Sequence, residues 1–371
     1  MNKKLVLAGG GHAHMKILAN LKNLKDAGYL VTVIQPSAYH YYSGMGPGML
    51  STHYSPDQIR FKTRFVVERQ GCRFFKARVT GINAGKKTVL TDTGETIPYD
   101  VLSCNVGSYV PSLPIEGSSK NIFPAKPIER LLEAQQKIIA KCNSNSIAIG
   151  VIGGGPAAVE IAGNAYHLVR TTGCKNITIR LFAGKKLMEG YSRSIQKIIR
   201  KTFQHRDIVI DESGYAAAID DGTIILENGQ RFSSDIIFLA IGTKPSPLFS
   251  DSGLATGPDG GLLVNEFLQA TDNKSIFGGG DCINFSPEPL DKVGVYAVRQ
   301  NPVLLNNIQA VLNNAPLKKF QTGGKYLLIF NLGEKIGALQ KGPITWGGKS
   351  AFFIKDYIDK KFMHRFQALE K

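Results

Sequence analysis

Short hydrophobic runs separated by glycines recur along this chain, a pattern typical of buried strands joined by tight turns. Residues 5–8 form such a run, followed by three glycines and by helical spacing from about residue 12 to residue 25. The run "YLVTVIQP" at 29–36 predicts the next strand, which a proline ends. This order predicts a βαβ unit and a parallel sheet.

The same order recurs far downstream. "IAIGVIGGGPAAVEIAGNAY" at 147–166 predicts a second strand, glycine turn and helix, preceded by a helix at about 128–141 and followed by the strand "NITIRLFAG". Each unit leads into a hairpin-like segment and then into a similar return, "NVGS" or "AIGTKP". A third glycine cluster, "KSIFGGGDC", precedes a predicted helix at 295–312. We interpret this as a long-range duplication.

The glycine turns have the chemistry of a phosphate cradle. One glycine permits the tight turn, a second lets the backbone approach a pyrophosphate, and a third small residue lets helix and strand pack. The second copy fits with Gly153, Gly155 and Ala158, whereas the first has Gly9 and Gly11 but His14 at the third position. The alternative for either copy is a glycine-rich packing turn.

The acid that normally binds the ribose hydroxyls is missing from both copies. Gln35 and Pro36 stand at that point in the first copy, and Ala183 and Gly184 in the second. Gln35 retains hydrogen-bonding groups for a ribose. In the second copy a basic group either favours a 2′-phosphate or forms a solvated face; its members are Arg180, Lys185 and Lys186.

Composition narrows the classes of partner. The 371 residues are 43% hydrophobic and carry a net charge of +16, which suits an anionic cofactor or anionic lipid. No nucleic-acid motif accompanies the basic residues, so we expect no nucleic-acid partner. Five scattered cysteines indicate a reducing compartment without a disulfide framework. His12 and His14 are better explained by phosphate proximity or packing than by a metal, and we predict no metal site.

Hydropathy bears on location. The apolar run before Gly9 is shorter than the roughly 7–15 residues of a secretory signal, and no stretch approaches the roughly 20 residues of a spanning helix. We therefore expect a cytoplasmic protein, either free or peripheral at the inner face of a membrane.

The two cradles, the two returns and "IFGGGDC" together resemble the pyridine nucleotide–disulfide oxidoreductases. Two stretches, "YSGMGPGMLSTHYSPDQI" and "KVGVYAVRQNPVLLNNIQAVL", resemble type II NADH dehydrogenase-like proteins. They are most similar to the branch found fused to selenide, water dikinase, and the tail "DYIDKKFMHRFQ" fits that branch too. Within these 371 residues we expect no kinase domain.

The resemblance implies an α/β fold with two interleaved Rossmann-like domains of the glutathione-reductase type and a short C-terminal α/β region. An FAD-binding domain would comprise residues 1–120 and 245–320, and an NAD(P)-binding domain residues 121–244. The C-terminal region would comprise residues 321–371.

The resemblance also implies cofactor contacts. FAD would lie in the first cradle and NAD(P)H in the second, with Asp281 binding the FAD ribitol. The other implied FAD contacts are Gly9, Gly11, His12, Gln35, Ser43, Gly44, Val79, Gly107, Ser108 and Gly280. The implied NAD(P)H contacts are Gly153, Gly155, Pro156 and Ala157.

Electron transfer is expected to bypass protein thiols. The redox CxxC or CxxxxC of the disulfide reductases is missing, and Cys104 in its apolar strand is better explained as a small buried hydrophobe. Hydride would then pass from nicotinamide to the flavin, which performs the chemistry. Three catalytic candidates remain, and each also has a structural interpretation. Glu160 is either catalytic or an exposed carboxylate on its helix, and Lys126 is either near the flavin or a surface lysine. Tyr296 either contacts a quinone or packs over the flavin ring.

The C-terminal tail has an amphipathic pattern. Apolar residues recur at Ile354, Ile358, Phe362 and Phe366 with lysines and an arginine between them. Such a helix either packs on its own domain or a second subunit, which leaves a homodimer open, or lies on anionic lipid.

These features lead us to expect an FAD-dependent NAD(P)H oxidoreductase that delivers electrons to a small acceptor, a quinone first. The alternatives are a sulfide-, thiol- or selenium-linked flavin reductase and a non-catalytic FAD-binding redox sensor.

Overall fold

The computed structural model of the chain describes residues 3–143 and 146–371. The earlier strands are β1 (Lys4–Ala8), β2 (Leu30–Ile34), β3 (His40–Tyr41), β4 (Arg60–Phe61), β5 (Arg73–Phe75), β6 (Val79–Asn83), β7 (Thr88–Thr91), β8 (Thr96–Pro98), β9 (Val101–Cys104), β10 (Ser108–Tyr109), β11 (Ile115–Glu116) and β12 (Ile122–Pro124). The later strands are β13 (Ser146–Ile152), β14 (Asn176–Phe182), β15 (Val209–Asp211), β16 (Ala216–Asp220), β17 (Thr223–Leu226), β18 (Arg231–Ser233), β19 (Ile236–Leu239), β20 (Lys244–Pro245), β21 (Leu262–Val264), β22 (Ile276–Gly278), β23 (Ile283–Phe285), β24 (Leu328–Asn331), β25 (Gly337–Lys341) and β26 (Ile344–Gly348).

The α-helices connect and cover these strands. They are α1 (Met15–Leu18), α2 (Leu21–Asp26), α3 (Gly46–Leu50), α4 (Pro56–Ile59), α5 (Thr63–Arg69), α6 (Glu129–Cys142), α7 (Pro156–Thr171), α8 (Arg193–Gln204), α9 (Leu248–Asp251), α10 (Gly294–Leu312) and α11 (Lys349–Gln367). None of those in the described ranges is long and apolar enough to cross a membrane.

Two parallel sheets of the same kind organise the molecule. The first has the strand order β22-β9-β1-β2-β5 and the second the order β12-β19-β13-β14-β15. Their central strands are buried on both faces, as in "LVL" of β1 and "IIFL" of β19, because helices cover each side. The predicted α/β fold with two Rossmann-like units is confirmed.

The first sheet takes strands from two distant parts of the chain. β22 pairs with β9 in register Ile276 to Leu102, so the chain leaves this sheet, builds the second and returns. A discontinuous domain requires such a return. On this basis we propose the boundaries 1–120 with 245–320 for one domain, 121–244 for the next and 321–371 for the tail.

The first helix differs from its prediction. One helix was expected from about 12 to 25, but the structure has a 3-10 turn at His12–His14, then α1, a break and α2. At the break Asn20 donates from Nδ2 to the carbonyl of Lys16 at 2.7 Å, and Asn301 of α10 accepts from the Lys16 amide at 2.7 Å. Asparagine competes for backbone groups in this way and disfavours a continuous helix.

The C-terminal region lies against the rest of the chain. β24, β25 and β26 form an antiparallel sheet, and α11 packs on it. The buried side chains of α11 are Ala351, Phe352, Asp359, Met363 and Phe366. The inner face of α11 therefore packs on its own domain.

Candidate functional site

A cleft of about 600 Å³ opens at the carboxyl ends of the second sheet. Its floor is formed by the residues that follow β13, β14 and β19, and its far wall by Lys126 after β12 and by Ser43 and Pro47 from the first unit. Ligands of open parallel sheets bind at this edge. The cleft thus joins the second glycine turn to residues of the first unit.

Each glycine of the second turn has a different surrounding. A Cβ on Gly153, which has φ of +139°, would lie 2.2 Å from the Ala240 carbonyl oxygen, and one on Gly154 would lie 2.6 Å from that of Ala183. A Cβ on Gly155 would meet nothing within 4 Å. Gly153 and Gly154 are therefore required by packing, and Gly155 leaves open space in the cleft wall.

Helix α7 begins directly at this open position. Gly155 is its N-cap, and Pro156 occupies its first turn, where no amide donor is needed. Pro156 and Ala157 both line the cleft. The free N–H groups and positive dipole end of α7 consequently face the space that a pyrophosphate would fill.

The first glycine turn packs more tightly. Added Cβ atoms on Gly9 and Gly11 would each lie 2.3 Å from an oxygen of Asn105, at the end of β9. Gln35 is buried, accepts from the Gly10 amide at 3.0 Å and donates to the carbonyls of Ser37 and Tyr39. Its amide thus holds the turn together, a different use from the predicted ribose bond.

His14 replaces the usual small residue by bonding across the turn. Its Nδ1 lies 2.6 Å from the Gly9 carbonyl and its Nε2 2.8 Å from Ser103 Oγ. Burial lowers the pKa of His14 to about 4. The ring is therefore neutral near pH 7 and ties the turn to β9.

His12 faces a different environment. Its Nδ1 lies 3.1 Å from His40 Nε2, and its ring stacks on Phe362 of α11. Burial lowers its pKa to about 4 as well. Within residues 3–143 and 146–371, Nε2 of His12 is buried without a hydrogen-bond partner, and no group of His, Cys, Asp and Glu is arranged to hold a metal.

An ion pair stands between the two turns. Lys126 Nζ lies 2.5 Å from Asp281 Oδ2, and Ser108 Oγ donates to the same oxygen at 2.9 Å. Burial opposes the ionisation of Asp281, but Lys126 and Ser108 outweigh it and hold the pKa of Asp281 below its usual range. Lys126 also lines the cleft, so it is not a surface lysine.

The model of the pyridine nucleotide-disulphide oxidoreductase family matches residues 3–301. The chain belongs to this family.

Similar proteins cover almost the whole chain. A type II NADH:quinone oxidoreductase of Haemophilus influenzae is 24% identical over 98% of this chain and 93% of its own length, and a probable NADH dehydrogenase of Dictyostelium discoideum is 24% identical over 95% and 86%. Two solved structures share the fold at a TM-score of 0.81. They are the sulfide:quinone oxidoreductase of Aquifex aeolicus (20% identity, 99% of this chain and 92% of that one) and NDH2 of Plasmodium falciparum in complex with NADH (15% identity, 100% and 98%).

Membership of the pyridine nucleotide-disulphide oxidoreductase family implies FAD and a pyridine nucleotide, and the residues present fit both. His12 directly follows the first turn, and its buried Nε2, which has no hydrogen-bond partner among the described residues, suits a phosphate oxygen. Asp281 is ionised and suits a hydroxyl-bearing group such as ribitol. The open wall at Gly155 suits the second nucleotide.

Glu160 lies in the cleft of this oxidoreductase and is only partly exposed. Its Oε1 accepts from the Asn331 amide at 2.7 Å. Burial raises the pKa of Glu160 to about 7, although Lys355 acts in the opposite direction. A carboxyl group that is part protonated at neutral pH can hold or release a proton there.

Behind Glu160 lies a buried cluster that the sequence analysis missed. Lys355 donates from Nζ to Asp359 Oδ2 and to the Gly44 carbonyl, both at 2.7 Å, and Tyr42 donates to Asp359 Oδ1 at 2.9 Å. Burial would lower the pKa of Lys355, but Asp359 and Glu160 raise it above its usual value. The only signal in the sequence was the pair Lys355 and Asp359, four residues apart on one helix face.

Tyr296 stands apart from these groups. It lies at the start of α10, with its ring in T-shaped contact with Tyr326 at 5.6 Å, and Tyr326 donates to Asp291 at 2.8 Å. Tyr296 does not line the cleft that Glu160 and Lys126 share. The structure therefore brings together two of the three catalytic candidates.

The remaining predicted FAD contacts lie in different parts of the structure. Ser43 lines the cleft, and Gly44 offers its carbonyl to Lys355. Val79 is buried at the start of β6. Gly107 and Gly280 have φ of +74° and +76°, a backbone region that glycine enters without strain.

The cysteines are free and mostly buried. Cys282 Sγ lies 3.5 Å from the Cys104 carbonyl, and both side chains have no exposed surface. Burial raises the pKa of the Cys282 thiol to about 11 and that of Cys104 well above its usual value. Both are thiols rather than nucleophilic thiolates at neutral pH.

Proposed function

We propose that this chain is an FAD-dependent NAD(P)H oxidoreductase. One observation carries the proposal: a single cleft runs from the second glycine turn to Lys126, and Lys126 is bonded to Asp281 of the first unit. A nicotinamide cofactor extending from Gly155 along this cleft would reach the flavin side of the molecule. When bound, FAD accepts hydride from a reduced nicotinamide and returns electron pairs to an acceptor.

The residues around the cleft position and tune this chemistry. Gly155 and the first turn of α7 receive the pyrophosphate, and the partly apolar walls exclude water from the nicotinamide end. Lys126 keeps a positive charge beside Asp281, which holds that carboxylate ionised. These groups bind the nicotinamide cofactor and orient it, and holding the reactants in the correct geometry accelerates the reaction.

We propose a quinone as the acceptor. The relatives named type II NADH:quinone oxidoreductase support this choice. Reducing a quinone to a quinol consumes two electrons and two protons, of which NAD(P)H supplies the electrons and one proton. Glu160 is suited to hold the other proton, since Oε1 accepts from the Asn331 amide and Oε2 remains to carry it.

The test is an anaerobic titration of the FAD-loaded protein with NADH and NADPH, followed by flavin absorbance. Loss of the oxidised spectrum with either nucleotide supports the proposal, and reoxidation by a soluble quinone analogue supports the acceptor. If neither nucleotide changes the spectrum, the oxidoreductase proposal is wrong and the redox-sensor alternative is favoured. E160Q should slow reoxidation by quinone about 10-fold or more while leaving flavin reduction nearly unchanged.

Polysulfide and selenite belong in the same acceptor panel. We infer kinship with the branch fused to selenide, water dikinase from the stretches at 42–59 and 292–312. Faster reoxidation by either compound than by quinone would shift the proposal to a sulfur- or selenium-linked reductase.

We further propose peripheral contact with anionic lipid at the inner face of a membrane. Of the predicted apolar stripe, Phe366 is buried and Phe362 packs on the core, whereas Ile358 is exposed. The outer surface of the tail nevertheless exposes large apolar side chains beside lysines. They are Ile344, Trp346, Phe353, Tyr357 and Ile358.

Vesicle co-sedimentation tests this surface. The doubly substituted F353S/Y357S variant should lose binding to vesicles containing phosphatidylglycerol, whereas L90S, at a comparably exposed position on β7, should keep it. Equal binding by all variants contradicts the proposal. Light scattering of the same samples shows whether a second copy covers the surface instead, in which case F353S/Y357S becomes monomeric.

A further inference from the structure

The two histidines of the first glycine turn differ in the groups that their ring nitrogens meet. His14 Nδ1 lies 2.6 Å from the Gly9 carbonyl oxygen, which can only accept a hydrogen bond. The neutral ring of His14 therefore carries its proton on Nδ1, and Nε2, 2.8 Å from Ser103 Oγ, accepts from that hydroxyl. Both nitrogens of His14 are engaged within the protein, which leaves this ring no donor for a ligand.

His12, two positions earlier, has one nitrogen without a partner. Its Nδ1 lies 3.1 Å from His40 Nε2, whereas its Nε2 is buried and meets no hydrogen-bonding group among the described residues. The residue is 9% exposed, and Asn301 fixes its backbone by donating from Nδ2 to its carbonyl at 2.7 Å. Burying a polar atom without a partner costs free energy, so this nitrogen of a well-fixed side chain indicates a ligand.

Aromatic rings hold the two imidazoles in place. Phe362 of α11 stacks on His12 at an interplanar angle of 17°, and Phe61 stacks on His40 at 14°. The imidazoles themselves meet at 79°, edge to face. Tyr42 also packs on His12, but its hydroxyl donates to Asp359. The hydrogen bond between the two rings is therefore the one polar contact printed on this pair by its own aromatic surroundings.

The protonation of the pair has two possible arrangements. Burial lowers the pKa of His12 to about 4, with Asp281 acting in the opposite direction and Lys126 in the same one, and burial also lowers the pKa of His40. Two neutral rings that share one hydrogen bond have one proton between them. If His12 donates it, Nε2 of His12 is a bare acceptor. If His40 donates it, Nε2 of His12 carries a proton and is itself a donor.

We propose that His40 is a positioning residue for FAD: it donates from Nε2 to His12 Nδ1 and so keeps the His12 proton on Nε2, where it serves an oxygen of the FAD pyrophosphate. The inference rests on the proposed function in one respect, since it requires FAD in the first cradle. A phosphate oxygen only accepts hydrogen bonds, so it stabilises this arrangement and opposes the other. His12 and His14 then hold opposite tautomers within one turn.

Nitrogen NMR of the full chain labelled with 15N-histidine reads these tautomers directly. With FAD bound, we expect His12 to be protonated on Nε2 and bare on Nδ1, and His14, the internal reference, to show the reverse. Spectra of H12F, H14Q and H40F assign the resonances. A His12 ring that is protonated on Nδ1 alone, or on both nitrogens, would overturn the inference, because His40 would then be the acceptor.

Two substitutions separate hydrogen-bond donation by His40 from packing. H40F keeps an aromatic ring against Phe61 but removes the donor, whereas H40Q removes the ring and keeps an amide donor at the same place along the side chain. In titrations of the apoprotein with FAD, we expect H40F to weaken binding about 10-fold and H40Q to stay within about 3-fold of the native chain. The reverse order would show that His40 only packs.

The double variant H12F/H40F tests whether His40 acts through His12. Once His12 is replaced, H40F should weaken FAD binding no further. A second 10-fold loss in the double variant would contradict the inference, because His40 would then act independently of His12.

Flavin reduction separates these results from the proposed function. If FAD binding depends on His40 as expected and neither nucleotide reduces the flavin, the oxidoreductase proposal fails and the role of His40 stands. If a nucleotide reduces the flavin and H40F binds FAD as tightly as the native chain, the role of His40 fails and the oxidoreductase proposal stands. A native chain that binds no FAD contradicts both.

Discussion

Lys126 and Asp281 are 155 positions apart in the chain, yet their charged groups lie 2.5 Å from each other between the two glycine turns. Lys126 lines the cleft at the second sheet, and Asp281 belongs to the glycine cluster beside the first. The pair therefore couples the two nucleotide units. Their side chains are 27% and 14% exposed, so water screens the interaction only in part.

We predict that this pair contributes coupling energy to stability. K126M leaves Asp281 without its cation and should lower the urea midpoint, and the double variant K126M/D281N should recover part of the loss. A double-mutant cycle should give about 1–3 kcal/mol of coupling. Strictly additive single effects would show that the pair is not energetically linked.

Two glycine variants separate packing from binding. G153A puts a Cβ 2.2 Å from the Ala240 oxygen at a φ of +139° and should destabilise the fold by about 2 kcal/mol or more. G155A meets nothing within 4 Å and should leave the melting temperature nearly unchanged while weakening nucleotide binding about 10-fold or more, because the methyl group enters the cleft. Calorimetry with the nucleotide and thermal melts of both variants check this contrast, and unchanged nucleotide affinity in G155A would contradict it.

Glu160 should make stability fall with rising pH. Its pKa is about 7 in the folded chain against 4.5 for an ordinary glutamate, so the folded state binds more protons between those values. Stability from this group is therefore lost as pH rises from about 4.5 through 7. E160Q should melt about 2–4 °C higher than the native protein at pH 8 and show no such gain at pH 4.5. The difference in melting temperature between E160Q and the native protein should grow as pH rises across this window. A constant difference would mean that Glu160 does not titrate there.

The buried histidines should affect the stability of the protein at acidic pH. His12 and His14 have pKa values of about 4 in the folded chain, below the ordinary 6.5, so the unfolded state takes up protons first as pH falls. Their neutral forms favour folding above about pH 6.5, and this contribution is lost between 6.5 and 4. Melting temperatures across that interval should drop less steeply in H14Q than in the native protein. H205Q, at an exposed histidine, should leave the slope unchanged.

The buried thiols should be dispensable for turnover. C104S and C282S are expected to keep at least about half of the native rate with quinone, since neither thiol is ionised near pH 7. Native protein should also resist alkylation at both positions, as judged by mass spectrometry. Loss of turnover in either variant with FAD still bound would favour a thiol-linked reductase.

Local sequence was sufficient for the repeating plan of this protein. The alternation of apolar runs and glycine turns predicted both βαβ units, since a buried parallel strand and a tight turn impose their residue types locally. It also predicted an amphipathic tail. It failed at Asn20, where a side chain that bonds the helix backbone and a contact with α10 break the first helix.

Tertiary structure decided which candidates meet. From the sequence, Lys126 could equally be a lysine on the surface. In the structure it pairs with Asp281, because the chain returns to pair β22 with β9 and so brings Asp281 to it. Burial raises the pKa of Glu160, and the groups that act on it, Lys355 and Asp359 of α11 and the Asn331 amide, lie some 170–200 positions away in the chain. The sequence by itself determined the two glycine turns and the lack of an acid after the second strand of each unit, because these depend on short-range geometry. Burial, charge pairing and the path of the cleft depend on contacts between distant segments, and only the folded chain supplies them.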